Sequence, residues 1–260
     1  MKGPQFTVEF PMPDGRRLRN RSDGQISMLP VVQFDADGLS TSHNADFLDD
    51  PAFQRAYQAG VNTGHRIMDP AKLHIEWRVY VCCWAATHAA RLDGDFVECG
   101  VSTGIVSRAV VDYVDFNALG KTFYLFDTYE GIPESQMSET ERPLAVSKNE
   151  RHYFDCLTLV EQNFAAYPNV KPVKGAVPES LDEVDIGRVA YLHIDMNIAA
   201  PEVAALEYFW DRMVTGGIIV FDDYASLAHR SQKAALDPVV SKFGATILSM
   251  PTGQGLLLKF

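Results

Sequence analysis

Residues 94–104 read Gly-Asp-Phe-Val-Glu-Cys-Gly-Val-Ser-Thr-Gly, and this stretch decides the fold. The apolar pair Phe-Val at 96–97 is followed by Glu98, and glycines at 100 and 104 bound a short turn. Apolar residues then recur at helical spacing over 105–114. The pattern predicts a strand, a glycine turn and a helix. In a doubly wound α/β sheet such a turn lies at the carboxyl end of the first strand, where these folds bind nucleotides.

The spacing of the two glycines narrows the kind of ligand that the turn can hold. Gly100 and Gly104 lie four positions apart, so the turn lacks the Gly-x-Gly-x-x-Gly fingerprint of dinucleotide sites. It also lacks the Gly-Lys-Ser/Thr that ends the glycine loop of a P-loop. A second strand is predicted at 122–126 and is followed by Asp127, and an acid at this position commonly accepts hydrogen bonds from ribose hydroxyls. A purely structural turn is the alternative. A site that can bind ribose but lacks the glycine loop for a pyrophosphate favours S-adenosylmethionine as the ligand.

The composition is that of an acidic α/β protein without specialised segments. The 260 residues suffice for one large domain, or for one domain with an N-terminal extension. Lys and Arg number 23 against 34 Asp and Glu, a formal net charge of −11, so we expect no nucleic-acid partner. An apolar run of about 18 residues is missing, and residues 1–4 lack the core of a signal peptide. The four cysteines fit no zinc pattern, so we expect buried, reduced thiols, no membrane partner and a cytoplasmic location.

The first 90 residues form a predicted extension. Prolines and glycines interrupt residues 1–45, which are therefore expected to be irregular, and arginines at 16, 17, 19 and 21 form a basic run. We interpret this run as a solvated loop, or as a patch for another subunit or an anionic substrate. Helices are predicted at 46–63 and 73–92, and Arg78 in the second could reach the carboxylate of a cofactor.

Residues 91–260 form the predicted cofactor-binding domain. Further strands are expected at 170–174, 189–194, 218–221, 246–250 and 255–260, the last two as an antiparallel hairpin. Helices are expected at 154–167, 201–213 and 229–243, with the glycines at 216–217 ending the second of them. The polar stretch 134–152 is predicted to be a loop, either a mobile cover or plain surface. The sheet would therefore have seven strands, most of them parallel.

Four motifs follow one another in the second half of the chain. They are Glu-Cys-Gly-Val at 98–101, Phe-Asp-Thr-Tyr-Glu-Gly-Ile-Pro at 126–133, His-Ile-Asp at 193–195 and Gly-Gly-Ile-Ile-Val-Phe-Asp-Asp-Tyr at 216–224. Over residues 90–260 the chain resembles the macrocin O-methyltransferase family, also called the TylF/MycF/NovP group of class I methyltransferases. The resemblance implies a Rossmann-like fold, S-adenosylmethionine as cofactor and methyl transfer to a hydroxyl of a sugar or another small natural-product acceptor.

The resemblance also implies positions for the site. The residues implied to bind the cofactor are Glu98, Gly100, Ser102, Thr103, Gly104, Asp127, Thr128, Gly175, Ala176 and Asp195. Magnesium is implied as a second cofactor, with Asp195, Asp222 and Asp223 as its ligands. Asp195 and His229 are the candidate catalytic bases, whereas His193 is expected to be a packed residue.

The positions of the three aspartates support a metal site independently. Asp195 follows one predicted strand and Asp222 and Asp223 follow the adjacent one, so all three should reach the same edge of the sheet. Carboxylates that lie so close repel one another unless a hard cation or a proton lies between them. Magnesium there would hold the acceptor hydroxyl and lower its pKa. The alternative is that Asp222 and Asp223 cap the loop and helix that follow.

One departure from the family pattern leaves the acceptor open. The family commonly has Asp-x-Asp-Leu-Tyr after the fourth strand, but here Asn197 stands where the second acid is expected and the tyrosine is missing. Two other functions remain possible: a metal-dependent nucleotide-sugar transferase, which would need basic residues near these acids, and a non-catalytic methyltransferase-like binding protein. A homo-oligomer is compatible with the sequence.

Overall fold

The computed structural model describes residues 8–13, 16–20, 26–29, 31–66 and 73–260. Contacts divide the chain into two units, Met1–Leu48 and Asp49–Phe260. The expected boundary after residue 90 falls inside the second unit, which also contains the two helices that precede it.

The small unit contains strands where we predicted irregular chain, so that prediction was wrong for its described part. These strands are β1 (Val8–Pro11), β2 (Arg17–Asn20), β3 (Ile26–Leu29), β4 (Phe34–Ala36) and β5 (Leu39–Thr41). The first three form one antiparallel sheet and the last two form another. Asp37 and Gly38, with φ of 50° and 74°, make the turn between β4 and β5. Gly38 therefore marks the turn of a hairpin and not a stretch without strands. Five residues of this prediction lie outside the described residues: the prolines at 4 and 30, the glycines at 15 and 24, and Arg21 of the basic run.

The larger unit is built on a seven-stranded sheet, as predicted. Its strands are β6 (Asp95–Cys99), β7 (Phe123–Asp127), β8 (Val170–Lys174), β9 (Val189–Ile194), β10 (Met213–Phe221), β11 (Leu248–Ser249) and β12 (Gly255–Leu258). They lie in the order β11-β12-β10-β9-β6-β7-β8. β12 runs antiparallel to both of its neighbours, and the remaining pairs are parallel. The fold class and the C-terminal antiparallel hairpin are thereby confirmed.

Seven helices connect and cover these strands in the described part of the chain. They are α1 (Pro51–Val61), α2 (Glu76–Ala89), α3 (Ile105–Tyr113), α4 (Arg142–Arg151), α5 (Leu157–Asn163), α6 (Ala199–Trp210) and α7 (Arg230–Lys242). α1 packs on α3, α2 packs on β9 and β10, and α6 packs on β9 and α7. None of the helices in the described residues combines the length and apolar character needed to cross a bilayer.

The central strands are buried on both faces, which explains their continuous apolar sequence. On one face Val97 and Leu192 join a cluster with Phe209 of α6. On the other face the rings of Phe96 and Tyr191 lie 5.1 Å apart. Each such side chain contributes about 1.5–3 kcal/mol by leaving water. The carboxyl ends of these strands are thus fixed by a continuous core, and the site described below is built on them. All four cysteines are also buried and unpaired, as expected.

Two segments differ from the prediction. The glycines at 216 and 217 do not end α6, because that helix stops at Trp210 and β10 already begins at Met213. A register shift between Met213 and Ile218 accommodates the φ of 82° at Gly216 inside the strand. The stretch 134–152 is not a simple loop, because it contains α4. Within that helix Ala145 alone is buried, so apolar periodicity could not reveal it.

Candidate active site

The glycine turn after β6 is held between two neighbouring strands. The N–H of Gly100 donates to the carbonyl of Phe126 at 2.8 Å, and the N–H of Asp195 donates to the carbonyl of Cys99 at 2.8 Å. Gly100 has a φ of 90°, and a Cβ there would overlap the carbonyl oxygen of Asp195. A glycine is therefore required at this position by both conformation and space.

Asp127 shapes the turn from the end of β7. Its Oδ2 accepts the N–H groups of Val101 and Ser102 at 2.6 and 2.7 Å, and its Oδ1 accepts the N–H of Tyr129 at 2.6 Å. The carboxylate therefore holds two loops at the positions that a nucleotide would contact. Its expected bond to ribose would have to be made in addition to these three, and that contact stays a prediction.

A cavity of about 670 Å³, partly open to solvent, lies over this turn. Its walls come from four segments, the glycine turn, the loop after β7, the loop after β8 and the loop after β9. They comprise Gly100, Val101, Ser102, Phe126, Asp127, Thr128, Tyr129, Gly131, Ile132, Pro133, Gln136, Tyr153, Phe154, Cys156, Gly175, Ala176, Val177, Asp195, Met196, Asn197, Ile198 and Pro201. Small ligands commonly bind in concave sites of this kind, where apolar side chains and a few convergent polar groups share the lining.

The structure brings most of the expected cofactor residues to this cavity. Seven of them line it: Gly100, Ser102, Asp127, Thr128, Gly175, Ala176 and Asp195. Three expected residues, Glu98, Thr103 and Gly104, are not among its lining residues. Thr103 is buried, and its hydroxyl lies 3.0 Å from that of Thr63. Gly104, with a φ of 92°, precedes the first turn of α3.

Glu98 lies beneath the site in a buried group of charges. It is 2% exposed, and its Oε1 lies 3.2 Å from Nδ1 of His193 on the paired strand. Nε2 of His193 lies 3.7 Å from Oδ1 of Asp222. Burial by itself lowers the pKa of His193, but Cys82 and the carboxylates of Asp222 and Glu98 raise it well above its usual value. His193 is buried, as predicted, and it connects two acids.

Three carboxylates meet at the edge of the sheet, as the sequence predicted. Asp195, Asp222 and Asp223 each offer one oxygen within 4.8 Å of the others. Burial and the neighbouring charges of Asp222 and Asp223 raise the pKa of Asp195 well above its usual value. Around magnesium, adjacent oxygens are about 3 Å apart and opposite oxygens about 4.2 Å apart, so the three side chains would draw closer together by rotation to reach one ion. The donor set thus fits a hard divalent cation.

Arg78 reaches this cluster from α2. Its Nη1 donates to Oδ2 of Asp222 at 2.6 Å and lies 3.4 Å from Oδ1 of Asp223. Burial would raise the pKa of Asp222, but Arg78 and His193 outweigh it and keep that pKa below its usual value. The guanidinium therefore pairs with the proposed metal ligands, whereas we had considered it for the carboxylate of the cofactor.

Lys148 reaches the same cluster from α4. Its Nζ donates to Oδ1 of Asn197, lies 3.3 Å from Nε2 of His229 and lies 3.9 Å from Oδ2 of Asp223. No local sequence signal marks this lysine, because the contact with Asn197 spans 49 positions. Few basic residues lie near these acids in the sequence, but folding brings two cations, Arg78 and Lys148, to them.

His229 lies beside the cluster and behind the cavity wall. Its Nε2 is 3.3 Å from Oδ2 of Asp223, and its Nδ1 is 3.4 Å from Nε2 of Gln232. Burial lowers the pKa of His229, and Lys148 lowers it further against the opposing effect of Asp223. The imidazole is therefore neutral near pH 7, but it is not among the residues that line the cavity.

The segment between β7 and α5 forms one wall of the cavity and supplies a residue that the sequence did not indicate. Gln136 donates from Nε2 to the carbonyl of Val177 at 2.7 Å. Its Oε1 is buried and has no hydrogen-bond partner among the described residues. A buried acceptor without a partner on the wall of a cavity is suited to a ligand N–H group, such as the amino group of adenine. The polar insertion next to the second motif was the one available signal.

Two polar side chains fix this segment. Asn149 of α4 accepts the N–H of Ile132 at 2.8 Å and donates to its carbonyl at 2.9 Å. Glu141 accepts the N–H of Ala199 and the hydroxyl of Ser231, both at 2.8 Å. The first contact fastens α4 to the loop after β7, and the second fastens it to the starts of α6 and α7.

The comparison with known families decides the relationship. The model of the macrocin O-methyltransferase (TylF) family matches residues 79–237, more than half of the chain. This chain belongs to the macrocin O-methyltransferase family. The resemblance that we drew from four motifs is thereby confirmed, and it extends upstream to include α2.

Individual relatives agree with this assignment. The chain is 28% identical over 155 residues to a Streptomyces olivaceus enzyme named 8-demethyl-8-(2,3-dimethoxy-alpha-L-rhamnosyl)-tetracenomycin-C 4'-O-methyltransferase. The match covers 55% of this chain and 58% of that protein, so the chain spans little more than half of its relative.

Two solved structures share the fold. One is the O-methyltransferase NovP, with a TM-score of 0.61 at 20% identity, covering 70% of this chain and 79% of that chain. The other is CalS11, a calicheamicin methyltransferase, with a TM-score of 0.55 at 17% identity, covering 83% and 94%. At these identities the likeness concerns the fold alone.

Proposed function

We propose that this macrocin O-methyltransferase family member transfers a methyl group from S-adenosylmethionine to a hydroxyl of a sugar-bearing small molecule. The observation that carries the proposal is one continuous cavity. Its lining includes both the glycine turn and Asp195, which is a member of the carboxylate cluster. The relative from Streptomyces olivaceus is named for a rhamnosyl acceptor, which supports a sugar hydroxyl here.

The turn and the two adjoining loops would hold the cofactor. Asp127 fixes the turn, and the segment Gly175–Val177 and Gln136 suit the adenine. Asp195 lines the cavity, and we place the reactive methyl near it. When bound, S-adenosylmethionine supplies an electrophilic methyl group on sulfur. The protein contributes alignment of the acceptor oxygen with that methyl, which is the main source of acceleration in such a displacement.

Magnesium belongs to the proposal as well. Asp195, Asp222 and Asp223 would hold it, because their oxygens converge and oxygen is the ligand that this ion prefers. The ion would supply positive charge that orients the acceptor hydroxyl and lowers its pKa. Arg78 holds Asp222 in place for this role through the bond at 2.6 Å.

Asp195 is the better of the two expected proton acceptors. Its Oδ1 accepts from Nδ2 of Asn197 at 3.1 Å, and Oδ2 makes no hydrogen bond within the described ranges. It also lines the cavity, whereas His229 lies behind Asp223. We therefore assign the hydroxyl proton to the carboxylate of Asp195, and we assign to His229 the positioning of Asp223.

The two alternative functions gain less support. A nucleotide-sugar transferase would turn cations toward a diphosphate, but Arg78 and Lys148 are both engaged with the cluster. A binding protein would not need three acids whose oxygens lie within 4.8 Å of one another, one of them on the cavity wall. The four unpaired thiols suit a reducing compartment, and we propose the cytoplasm.

The test combines binding and turnover of the full chain. S-adenosylhomocysteine should bind by calorimetry, and tritium should pass from labelled cofactor to a panel of aryl rhamnosides. Asp195→Asn should lower turnover by about 10²–10⁴-fold, the usual contribution of a general base, and His229→Gln should lower it less. Asp211→Asn, at an exposed position before β10, is the matched control.

Absence of S-adenosylhomocysteine binding by the wild type would refute the proposed activity. Turnover by Asp195→Asn at the control level would refute the assignment of the proton acceptor. A larger loss in His229→Gln than in Asp195→Asn would exchange the two roles.

A further inference from the structure

Lys148 places an ammonium group among the carboxylates that the proposed function assigns to magnesium. We infer that Lys148 is a built-in cation of the carboxylate cluster. Its ammonium supplies part of the positive charge at the cluster and lowers the affinity of the cluster for a divalent ion. This inference rests on the proposed function for the role of the three aspartates, but its consequence is read from metal binding and not from turnover.

Three polar atoms surround the ammonium. Oδ1 of Asn197 accepts its hydrogen bond, Nε2 of His229 lies 3.3 Å away, and Oδ2 of Asp223 lies 3.9 Å away. The side chain of Lys148 is 25% exposed and that of Asp223 is 12% exposed. Water therefore screens this pair less than it screens an ion pair at the surface.

Asn197 accepts the hydrogen bond of the Lys148 ammonium. Its Nδ2 donates to Oδ1 of Asp195 at 3.1 Å and to the hydroxyl of Tyr153 at 3.1 Å, which turns its carbonyl oxygen toward Lys148. Its backbone has a φ of 64°, a conformation that asparagine adopts more readily than most residues. The amide is neutral, so it holds the lysine without cancelling its charge, and that charge acts on Asp223 and Asp195.

The helix that carries Lys148 cannot easily withdraw it. The next residue, Asn149, makes both of its hydrogen bonds to Ile132, and Glu141 ties the start of α4 to Ala199. Removing the ammonium from the cluster by moving α4 would break these contacts. The charge is therefore part of the resting site.

The charge balance gives the direction of the effect. Asp195, Asp222 and Asp223 carry three negative charges when ionised, and Arg78 already pairs with Asp222 at 2.6 Å. Lys148 offsets a further charge, and a divalent ion on the same oxygens would lie a few ångströms from this ammonium. Repulsion at such a distance is worth on the order of 1 kcal/mol or more. Neutralising Lys148 should therefore strengthen metal binding.

The experiment measures Mn²⁺ binding to the full chain by electron paramagnetic resonance of the free ion, with S-adenosylhomocysteine at saturation. Lys148→Met and Lys148→Gln remove the charge, and Lys148→Arg keeps it. Lys171→Met is the matched control, because Lys171 is exposed on β8 at the far end of the sheet from β10. Calorimetry with S-adenosylhomocysteine alone, together with a melting curve, establishes that each variant is folded.

We expect both neutral variants to bind Mn²⁺ at least about fivefold more tightly than the wild type, and Lys148→Arg and Lys171→Met to stay within about twofold. Equal or weaker binding by the neutral variants, or absence of Mn²⁺ binding by every protein, overturns the inference. Failure of the wild type to bind S-adenosylhomocysteine would count against the proposed function instead, so the two failures are distinguishable.

Discussion

Gln136 lines the cavity, and its buried amide oxygen can be tested as a ligand contact by changing this one residue. Gln136→Leu keeps the approximate size of the side chain and removes the acceptor. Losing one neutral hydrogen bond to the ligand should weaken S-adenosylhomocysteine binding by about 0.5–1.5 kcal/mol, roughly two- to thirteenfold. The bond to Val177 is lost as well, so Gln136→Glu, which keeps an acceptor, serves as a comparison.

Calorimetry of these variants beside Gln162→Leu provides the measurement. Gln162 is exposed on α5, and its substitution should leave the affinity unchanged. Equal affinities for Gln136→Leu and Gln162→Leu would show that the amide oxygen does not contact the ligand.

Residues differ in how far the sequence could predict them, for a physical reason. Gly100 and Asp127 were predictable because the turn and the strand end that give them their roles are contiguous in sequence. Arg78 meets Asp222 across 144 positions, and Lys148 meets Asn197 across 49. Contacts of this kind depend on the packing of helices on the sheet, which apolar periodicity does not specify.

At the scale of elements, Glu141 connects three helices. Burial would raise the pKa of Glu141, but hydrogen bonds from Ser138, Ala199 and Ser231 outweigh it and lower that pKa. A depressed pKa in the folded state means that the ionised carboxylate stabilises the fold above the pKa of the unfolded chain. This stability is lost as the pH falls through the folded pKa.

Glu141→Gln should therefore lower the free energy of unfolding at pH 7 by about 1–3 kcal/mol. The difference from wild type should shrink as the pH falls below about 4.3, the usual value for an unfolded glutamate. Denaturant unfolding at several pH values measures it, with Glu150→Gln as control because Glu150 is exposed on the same helix. A difference that is constant between pH 7 and pH 3 would contradict this role.

The elements themselves were predicted unevenly. β9 was predicted to the residue, because an apolar run bounded by turn residues marks a strand that is buried on both faces. The bounds of the edge strand β8 were also predicted to the residue, and Gly175 marks its end. α4 was missed because Ala145 is its one buried residue, so the helix has no apolar periodicity to reveal it. The glycines inside β10 resembled a helix end, and only the pairing with β9 shows that the chain had already turned into a strand.

At the scale of the larger unit, two parts of the chain line the cavity: the strand ends of the sheet and the segment between β7 and α5. The sheet contributes the glycine turn and Asp195, and the insertion contributes Gln136 and Tyr153. A ligand that touches both should stabilise them together. At a hundredfold excess over Kd this amounts to about 2.7 kcal/mol, or roughly hundredfold slower exchange of amide hydrogens that open with the site.

Hydrogen exchange with and without S-adenosylhomocysteine tests whether the insertion is a cover that responds to the cofactor. Peptides from 100–104 and from 134–156 should both be protected, while peptides from 236–242 of α7 should not change. Protection confined to 100–104 would make the insertion plain surface, the alternative reading of this stretch. Protection of all three regions would indicate general stabilisation.

The way in which the insertion is fastened also bears on how such enzymes diverge. Between β7 and α5 the chain contributes Ile132, Met137 and Ala145 to a small apolar cluster that Ile198 completes from the loop after β9. The side chains of Asn149 and Glu141 add hydrogen bonds that hold this segment in place. A segment with few, localised attachments can be exchanged as a cassette while the sheet and the glycine turn stay intact. We therefore expect chimaeras that join at β7 and α5 to keep the sheet and the glycine turn while they exchange this wall of the cavity.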